Sequence, residues 1–286
     1  MSMGQTLGRE LTLVLDVPSI ALWLFWRQSD VPLTLDTFFA GICRLLKEHE
    51  TTSVIWCFDD NRSLRRDALP CYKEKRKELE GKRDPELQER VLQCKRLISQ
   101  LRDEILKDFG YFPVWQNGLE ADDMIALICK KRQLRRKMIV STDADLWQLL
   151  DSQTTMFSPS QGKYYTATWF EKEYGILPKM WSLVKAIAGC ASDNVPGVPG
   201  IGEKSAIKYI LGTLYGKKLQ LIEANMDLIY FNRGLVKLPH KAALPTPSDI
   251  FTDTSEKEWR AACKRWDVGI WANNLDGWYP NPGEGF

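Results

Sequence analysis

Three apolar runs in this chain each end on an aspartate: residues 11–16 (LTLVLD), 54–59 (VIWCFD) and 138–143 (MIVSTD), closing on Asp16, Asp59 and Asp143. Taken singly, an aspartate at a strand end is ordinarily a helix cap or a turn residue. Three at once are different, because carboxylates crowded at one edge repel each other strongly at low dielectric unless a cation lies among them. More carboxylates follow in GLEADDMIA (residues 118–126), where Glu120, Asp122 and Asp123 open a helix. Alone, such residues serve as partners of the helix dipole. Here they follow another expected strand, residues 111–115, and so reach the same edge, while Asp145 shares the loop of Asp143. Aspartate and glutamate without histidine or thiolate favour hard cations, magnesium or manganese, over zinc. A different signal lies in SDNVPGVPGIGEKSA (residues 192–206). Read structurally it is a turn between two helices. A tight glycine turn feeding a helix also presents free backbone amides at a positive helix end, which suits a phosphate.

These residues need a scaffold that gathers them. The three runs read as buried parallel strands. The clearest helix starts at Asp84 as N-cap and Pro85 as first residue. It continues through Leu87, Val91, Cys94, Ile98, Leu101, Ile105 and Phe109 to a stop at Gly110. Strands separated by helices imply a doubly wound α/β sheet, whose ligand site lies outside the carboxyl ends of its strands. All three aspartates then converge there.

The bulk composition is compatible with this and narrows the class. At 286 residues the chain can bury a full core, and no apolar run approaches the roughly 20 residues of a membrane helix. The N-terminal segment lacks a signal-peptide core, and seven scattered cysteines without a CxxC pair fit reduced thiols, so a cytoplasmic location is expected. The net charge of +2 does not announce a nucleic-acid binder. Its distribution does more: residues 62–83 hold nine basic and four acidic side chains, a local surplus of +5 between two acidic motifs.

In order and spacing these motifs resemble the 5′ nucleases that include bacteriophage flap endonucleases and the N-terminal domain of bacterial DNA polymerase I. The resemblance spans roughly residues 11–240. It rests on the strand ending in Asp16, Phe58-Asp59, the EADD of residues 120–123, the TDxD of residues 142–145 and the SDNxPGVPGIGEK of residues 192–204. The family's arginine and YKxxR element have counterparts in residues 64–76, where Lys73 and Arg76 match its catalytic basic pair.

Three departures stand out. Cys190 occupies a position where family members usually carry a carboxylate, Val17 follows the first aspartate in place of glycine, and Trp23 stands where an arginine is frequent.

The resemblance implies a PIN-like doubly wound, mainly parallel sheet with a helical arch, plus an α-helical helix-hairpin-helix (H3TH) DNA-binding region. Residues 1–180 would form the nuclease domain with its arch at about 61–112, residues 181–245 the duplex-binding region, and residues 246–286 a tail. Asp16, Asp59, Glu120 and Asp122 are expected at one cation and Asp123, Asp143, Asp145 and Asp193 at a second, about 3.5–4 Å away. Arg65, Arg66, Tyr72, Gly200, Gly202, Lys204 and Ser205 are expected on DNA, with potassium at the glycine turn. The implied activity is metal-dependent 5′-3′ exonuclease and flap endonuclease cleavage by a monomer without membrane contact. Its substrates would carry duplex and single-stranded 5′ regions, RNA primers in hybrids included. Two alternatives stay open, a DNA-junction-binding protein with weakened chemistry and a PIN-like ribonuclease. In the tail, Trp259, Trp266, Trp271 and Trp278 are expected to pack back onto the core in preference to stacking on bases.

Overall fold

Strands that are apolar at every position need cover on both faces, and the chain supplies it. The computed structural model describes residues 11–27, 33–51, 53–131, 135–244 and 256–269. Five strands form one sheet: β1 (Leu11–Asp16), β2 (Val54–Cys57), β3 (Arg136–Val140), β4 (Thr154–Ser158) and β5 (Lys163–Tyr165). Their order is β2-β1-β3-β4-β5. The first four are parallel, with Leu13 opposite both Val54 and Met138 and Ile139 opposite Met156, and β5 returns antiparallel to β4. The sequence reading did not anticipate this last hairpin. Residues 111–115, expected as a strand, form none of the five strands; Val114 makes a parallel bridge to Cys57 beside β2.

The alternation of side chains divides the core in two. Leu13, Leu15, Trp56, Met138 and Val140 face helices α1 (Val17–Arg27) and α2 (Leu35–Glu48). Val14, Ile55, Cys57 and Ile139 face the other layer. Next in the chain come α3 (Leu64–Ala68), α4 (Glu74–Gly81) and α5 (Pro85–Gln100), which joins the first core through Val91 and Cys94. Asp84 caps α5 by accepting the Leu87 amide at 2.9 Å, and Pro85 opens it. A π-helical turn at Leu101–Ile105 leads into α6 (Leu106–Asp108), and Gly110 at φ 78° ends the run as expected.

The second layer contains α7 (Ala121–Cys129), α8 (Ala167–Tyr174) and α9 (Trp181–Ala188). The helices α10 (Glu203–Ile210), α11 (Lys217–Glu223) and α12 (Met226–Val236) pack on α9 or its neighbours and share that core through Ala206, Ile222 and Ile229. Finally α13 (Glu256–Arg265) brings Trp259 onto Phe109 and Tyr111. Trp266 donates its indole N–H to Asp108 at 2.8 Å. The expected packing of the tail therefore holds for these two tryptophans; Trp271 and Trp278 lie outside the described residues. None of the seven cysteines is joined in a disulfide, and no described helix is long and apolar enough to cross a membrane.

Candidate active site

The carboxyl ends of β1, β2 and β3 open onto a pocket of about 610 Å³ whose lining includes Asp16, Asp59, Glu120, Asp122 and Asp143 together with Lys73 and Arg76. Each acid arrives by a local device. Asp16 ends β1, where its carboxylate accepts the Ser19 amide at 3.2 Å and the Ser141 hydroxyl at 2.6 Å. Asp59 follows β2 and accepts the Ala121 amide at 2.8 Å, which ties the β2 end to the start of α7. Glu120 is the N-cap of α7 and forms a capping box with Asp123. Asp143 caps a short 3₁₀ turn and accepts the Asp145 amide at 2.8 Å, so the two acids of that loop are held as a unit.

Charge in this pocket is under strain. Burial, reinforced by Asp59 and Asp143 and only partly offset by hydrogen bonds, pushes the Asp16 carboxyl up to about 7. Burial likewise raises Asp122, with Asp143 and Asp16 adding to it, and raises Asp143, with Asp145 adding to it. Glu120 goes the other way: burial opposes ionisation, but Lys73 and Arg65 outweigh it and hold the carboxyl below its usual range. Carboxyls raised by burial and further by one another's charge favour an added cation, and an oxygen-only donor set favours a hard one. The residues present therefore fit a divalent metal.

A second group adjoins the first. Asp145, Cys190 and Asp193 place ligand atoms within 4.8 Å of one another. Tyr72 links the two groups, its hydroxyl lying 3.1 Å from Glu120 and 3.2 Å from Asp193. The Cys190 thiol sits 3.6 Å from Asp145, and burial followed by the charge of Asp145 pushes it up to about 11, so it is neutral at physiological pH.

The basic residues interleave with the acids. Lys73 lies 2.9 Å from Glu120, and Arg76 lies 2.6 Å from Asp193. Lys73 takes a left-handed backbone, φ 58°, just before α4, a strained conformation of the kind found where a side chain must be aimed. Its amide donates to the Asp193 carbonyl at 3.0 Å, which pins that conformation.

Three expected site residues have other duties. Asp123 is fully buried, receives a two-pronged ion pair from Arg65 at 2.7 and 2.8 Å, and accepts the Glu120 and His240 amides. With its oxygens so engaged it does not line the pocket, and the structure removes it from the second cation group. Arg65, 2% exposed, is the other half of that pair and also donates to the Leu235 carbonyl, so it is not on a DNA-facing surface. Tyr72, 3% exposed, belongs to the carboxylate network, which corrects its expected place on DNA. Arg66 is half-exposed on α3.

The glycine segment forms a tight return. A Cβ on Gly197 would lie 2.1 Å from the Ala188 carbonyl oxygen, so only glycine lets the loop close on the end of α9. Gly200, at φ 77°, and Gly202 are exposed with open space around them, and Gly202 caps α10. Lys204 is exposed, and Ser205 accepts from Lys218 at 3.1 Å. None of these four lines the pocket.

Sequence reasoning missed Lys185, whose ammonium bridges Asp145 and Glu203 at 3.2 Å each and so joins the second acidic group to the first turn of α10. A lone lysine on an apolar helix carries no signal of that role. Ser19 and Ser141, which hold Asp16, were equally silent.

Comparison with known proteins bears on the family and the fold. Residues 26–175 match the model of the 5′-3′ exonuclease N-terminal resolvase-like domain. The chain is 38% identical over 203 residues to a 5′-3′ exonuclease of Halalkalibacterium halodurans, covering 68% of this chain and 62% of that protein. It is 30% identical over 188 residues to the flap endonuclease Xni of Photobacterium profundum, covering 64% of this chain and 68% of that protein. Among solved structures, a bacteriophage T5 D15 flap endonuclease complex with DNA and metal ions superimposes with a TM-score of 0.73. That match is at 24% identity, over 93% of this chain and 100% of that one, and bears on the fold.

Proposed function

We propose, from the premise that this chain belongs to the 5′-3′ exonuclease family, that it is a structure-specific 5′ nuclease. It hydrolyses phosphodiester bonds near the 5′ ends of flapped, nicked or branched DNA, in replication or repair. The observation that carries this reading is the gathering of Asp16, Asp59, Glu120, Asp122 and Asp143 with Lys73 and Arg76 around one pocket.

In this reading Asp16, Asp59, Glu120 and Asp122 hold one divalent cation, and Asp143, Asp145 and Asp193 hold a second. Bound there, magnesium or manganese supplies Lewis acidity, lowering the pKa of coordinated water and offsetting charge on the phosphoryl oxygens. Lys73 and Arg76 bring positive charge to the scissile phosphate, where negative charge builds up in the transition state. The turn at residues 200–204 grips the duplex by its backbone as an H3TH element, with potassium at the turn by family resemblance. Arg66 and Ser205 add contacts to the same backbone. Backbone contacts give affinity without sequence preference, so branch structure chooses the cut. RNA primers within hybrids are accepted on the same basis. The test is incubation of purified monomer and magnesium with a 5′-flap DNA, a single-stranded RNA and metal-free controls. Metal-dependent cleavage confined to the flap is expected, and cleavage of RNA alone would overturn the reading.

Binding and chemistry should separate by mutation. Lys204→Ala is expected to weaken duplex binding and lower its salt dependence by about one phosphate contact. Lys73→Ala is expected chiefly to lower the single-turnover rate. Identical profiles for the two variants would refute this division of labour.

A second reading, junction binding with weakened cleavage, draws on the neutral Cys190 thiol and the Lys185 ammonium beside Asp145, both of which reduce the negative charge available to a second cation. Magnesium gains little from a soft ligand, whereas manganese binds such sites more tightly. Cys190→Asp is therefore expected to lower the magnesium concentration for half-maximal single-turnover cleavage and to narrow the advantage of manganese. Superimposable titrations of the wild type and the variant would show that the missing carboxylate has no measurable role in metal binding.

A further inference from the structure

Helix α13 has two faces of opposite character. Trp259, Ala262 and Cys263 are buried and join the first core, while Lys257, Arg260 and Lys264 are exposed. Spacings of three and four residues put these cations on one stripe, about 60° wide and roughly 10 Å long, with Ala261 beside them. Glu258 stands about 100° round the helix from Lys257, so it does not interrupt the stripe. A row of cations is ordinarily a solvated face. The anchoring of this one gives it a direction. Arg265 pairs with Asp108 at 3.0 Å, and Trp266 donates to the same carboxylate. Asp108 closes the helical run in which Arg102, six residues earlier and roughly 9 Å along the axis, donates to the Asp59 carbonyl at 3.0 Å. The end of α13 that carries Lys264 is therefore tied to the wall behind Asp59, an acid of the pocket.

The layers of the fold decide which strand this face can meet. Helix α10, which follows the glycine turn, packs in the second layer, whereas α13 packs in the first, with the sheet between them. A duplex gripped at residues 200–204 thus lies away from α13. Its unpaired 5′ arm is the part that crosses the pocket toward the first layer. Because DNA carries one charge per 3.4 Å of each strand along a duplex, roughly 10 Å of cations can face about three phosphates.

We propose that the stripe of Lys257, Arg260 and Lys264 is a second phosphate-binding surface, which holds the single-stranded 5′ arm beyond the pocket. The proposal rests on the nuclease reading for the identity of the strand. It assigns α13 to the affinity for long arms and leaves the chemistry to the pocket.

The test measures equilibrium binding, in calcium, of two 5′-flap DNAs that differ only in the unpaired arm. One arm is a single nucleotide and the other is long enough to pass α13. The variant carries Lys257→Gln and Lys264→Gln together, exposed positions at which glutamine sustains a helix as well as lysine does. On the long-arm DNA its salt slope is expected to fall by about 1.4, two single-strand contacts at about 0.7 each. Raising salt from roughly 50 to 200 mM then costs the wild type about 7-fold more affinity for that DNA than it costs the variant. On the single-nucleotide flap the two proteins should share affinity, slope and cleavage rate. Lys257→Arg with Lys264→Arg should keep the wild-type slope. An unchanged slope on the long arm would overturn the surface and leave the stripe to an acidic protein partner; an equal fall on both DNAs would overturn its assignment to the arm. Cleavage of both flaps in magnesium is followed in parallel. Its absence in the wild type, with the long-arm difference intact, would remove the nuclease reading and leave the surface standing.

Discussion

Asp143→Asn is expected to slow single-turnover cleavage of a 5′-flap DNA by more than the roughly 10- to 100-fold loss typical of a residue one shell away from a metal. The variant should fold at least as well as the wild type. Asp143 sits where burial and Asp145 disfavour its charge, so the neutral amide relieves repulsion in the folded state. Its remaining carbonyl oxygen can still accept the Asp145 amide, which preserves the loop. DNA affinity should change little, because phosphate contacts made elsewhere supply most of it. Quenched-flow rates in magnesium, read beside thermal unfolding curves, settle the matter. Near-normal turnover in a folded variant would refute the proposed cation site.

Arg65→Ala is expected to destabilise the protein by about 3–5 kcal/mol, the cost of removing one partner from a buried ion pair and leaving the other uncompensated. Asp123, fully buried, would be left with only the Glu120 and His240 amides as donors, and the Leu235 carbonyl would lose its donor. The loss should appear as a fall in unfolding midpoint on the order of 10 °C. The pair ties α3 to α7 and to the end of α12, so the damage reaches the pocket through Glu120, whose carboxylate lies 3.7 Å from Arg65. Had Arg65 been a DNA contact, its loss would reduce the salt dependence of binding by about one phosphate. The expected result is an unchanged salt slope at a temperature where the variant is folded. A reduced slope with unaltered stability would reverse the assignment.

Some of this was legible in the chain alone, and for physical reasons. Uniformly apolar runs of strand length must be covered on both sides, so their alternation with helices dictated a doubly wound sheet. Because parallel strands all point their carboxyl ends one way, Asp16, Asp59 and Asp143 had to converge once that sheet was inferred. The helix beginning at Asp84 was equally plain, since a cap, a proline and a glycine stop act locally. The β4–β5 hairpin and the reduction of residues 111–115 to isolated bridging were not, because both depend on which edge of the sheet is free to receive another strand.

Tertiary structure alone decided the fate of individual polar side chains. Asp122 and Asp123 are neighbours in sequence and identical in chemistry, yet a helix points them about 100° apart, one into the pocket and the other into the interior against Arg65. Arg65 and Arg66 divide too, the first buried against Asp123 and the second half-exposed on α3. The spacing of motifs specifies that charges gather, whereas burial decides which of them remain available to a ligand. A pair such as Arg65–Asp123, 58 residues apart in the chain, leaves no periodic trace, because its partners meet only after the sheet has assembled.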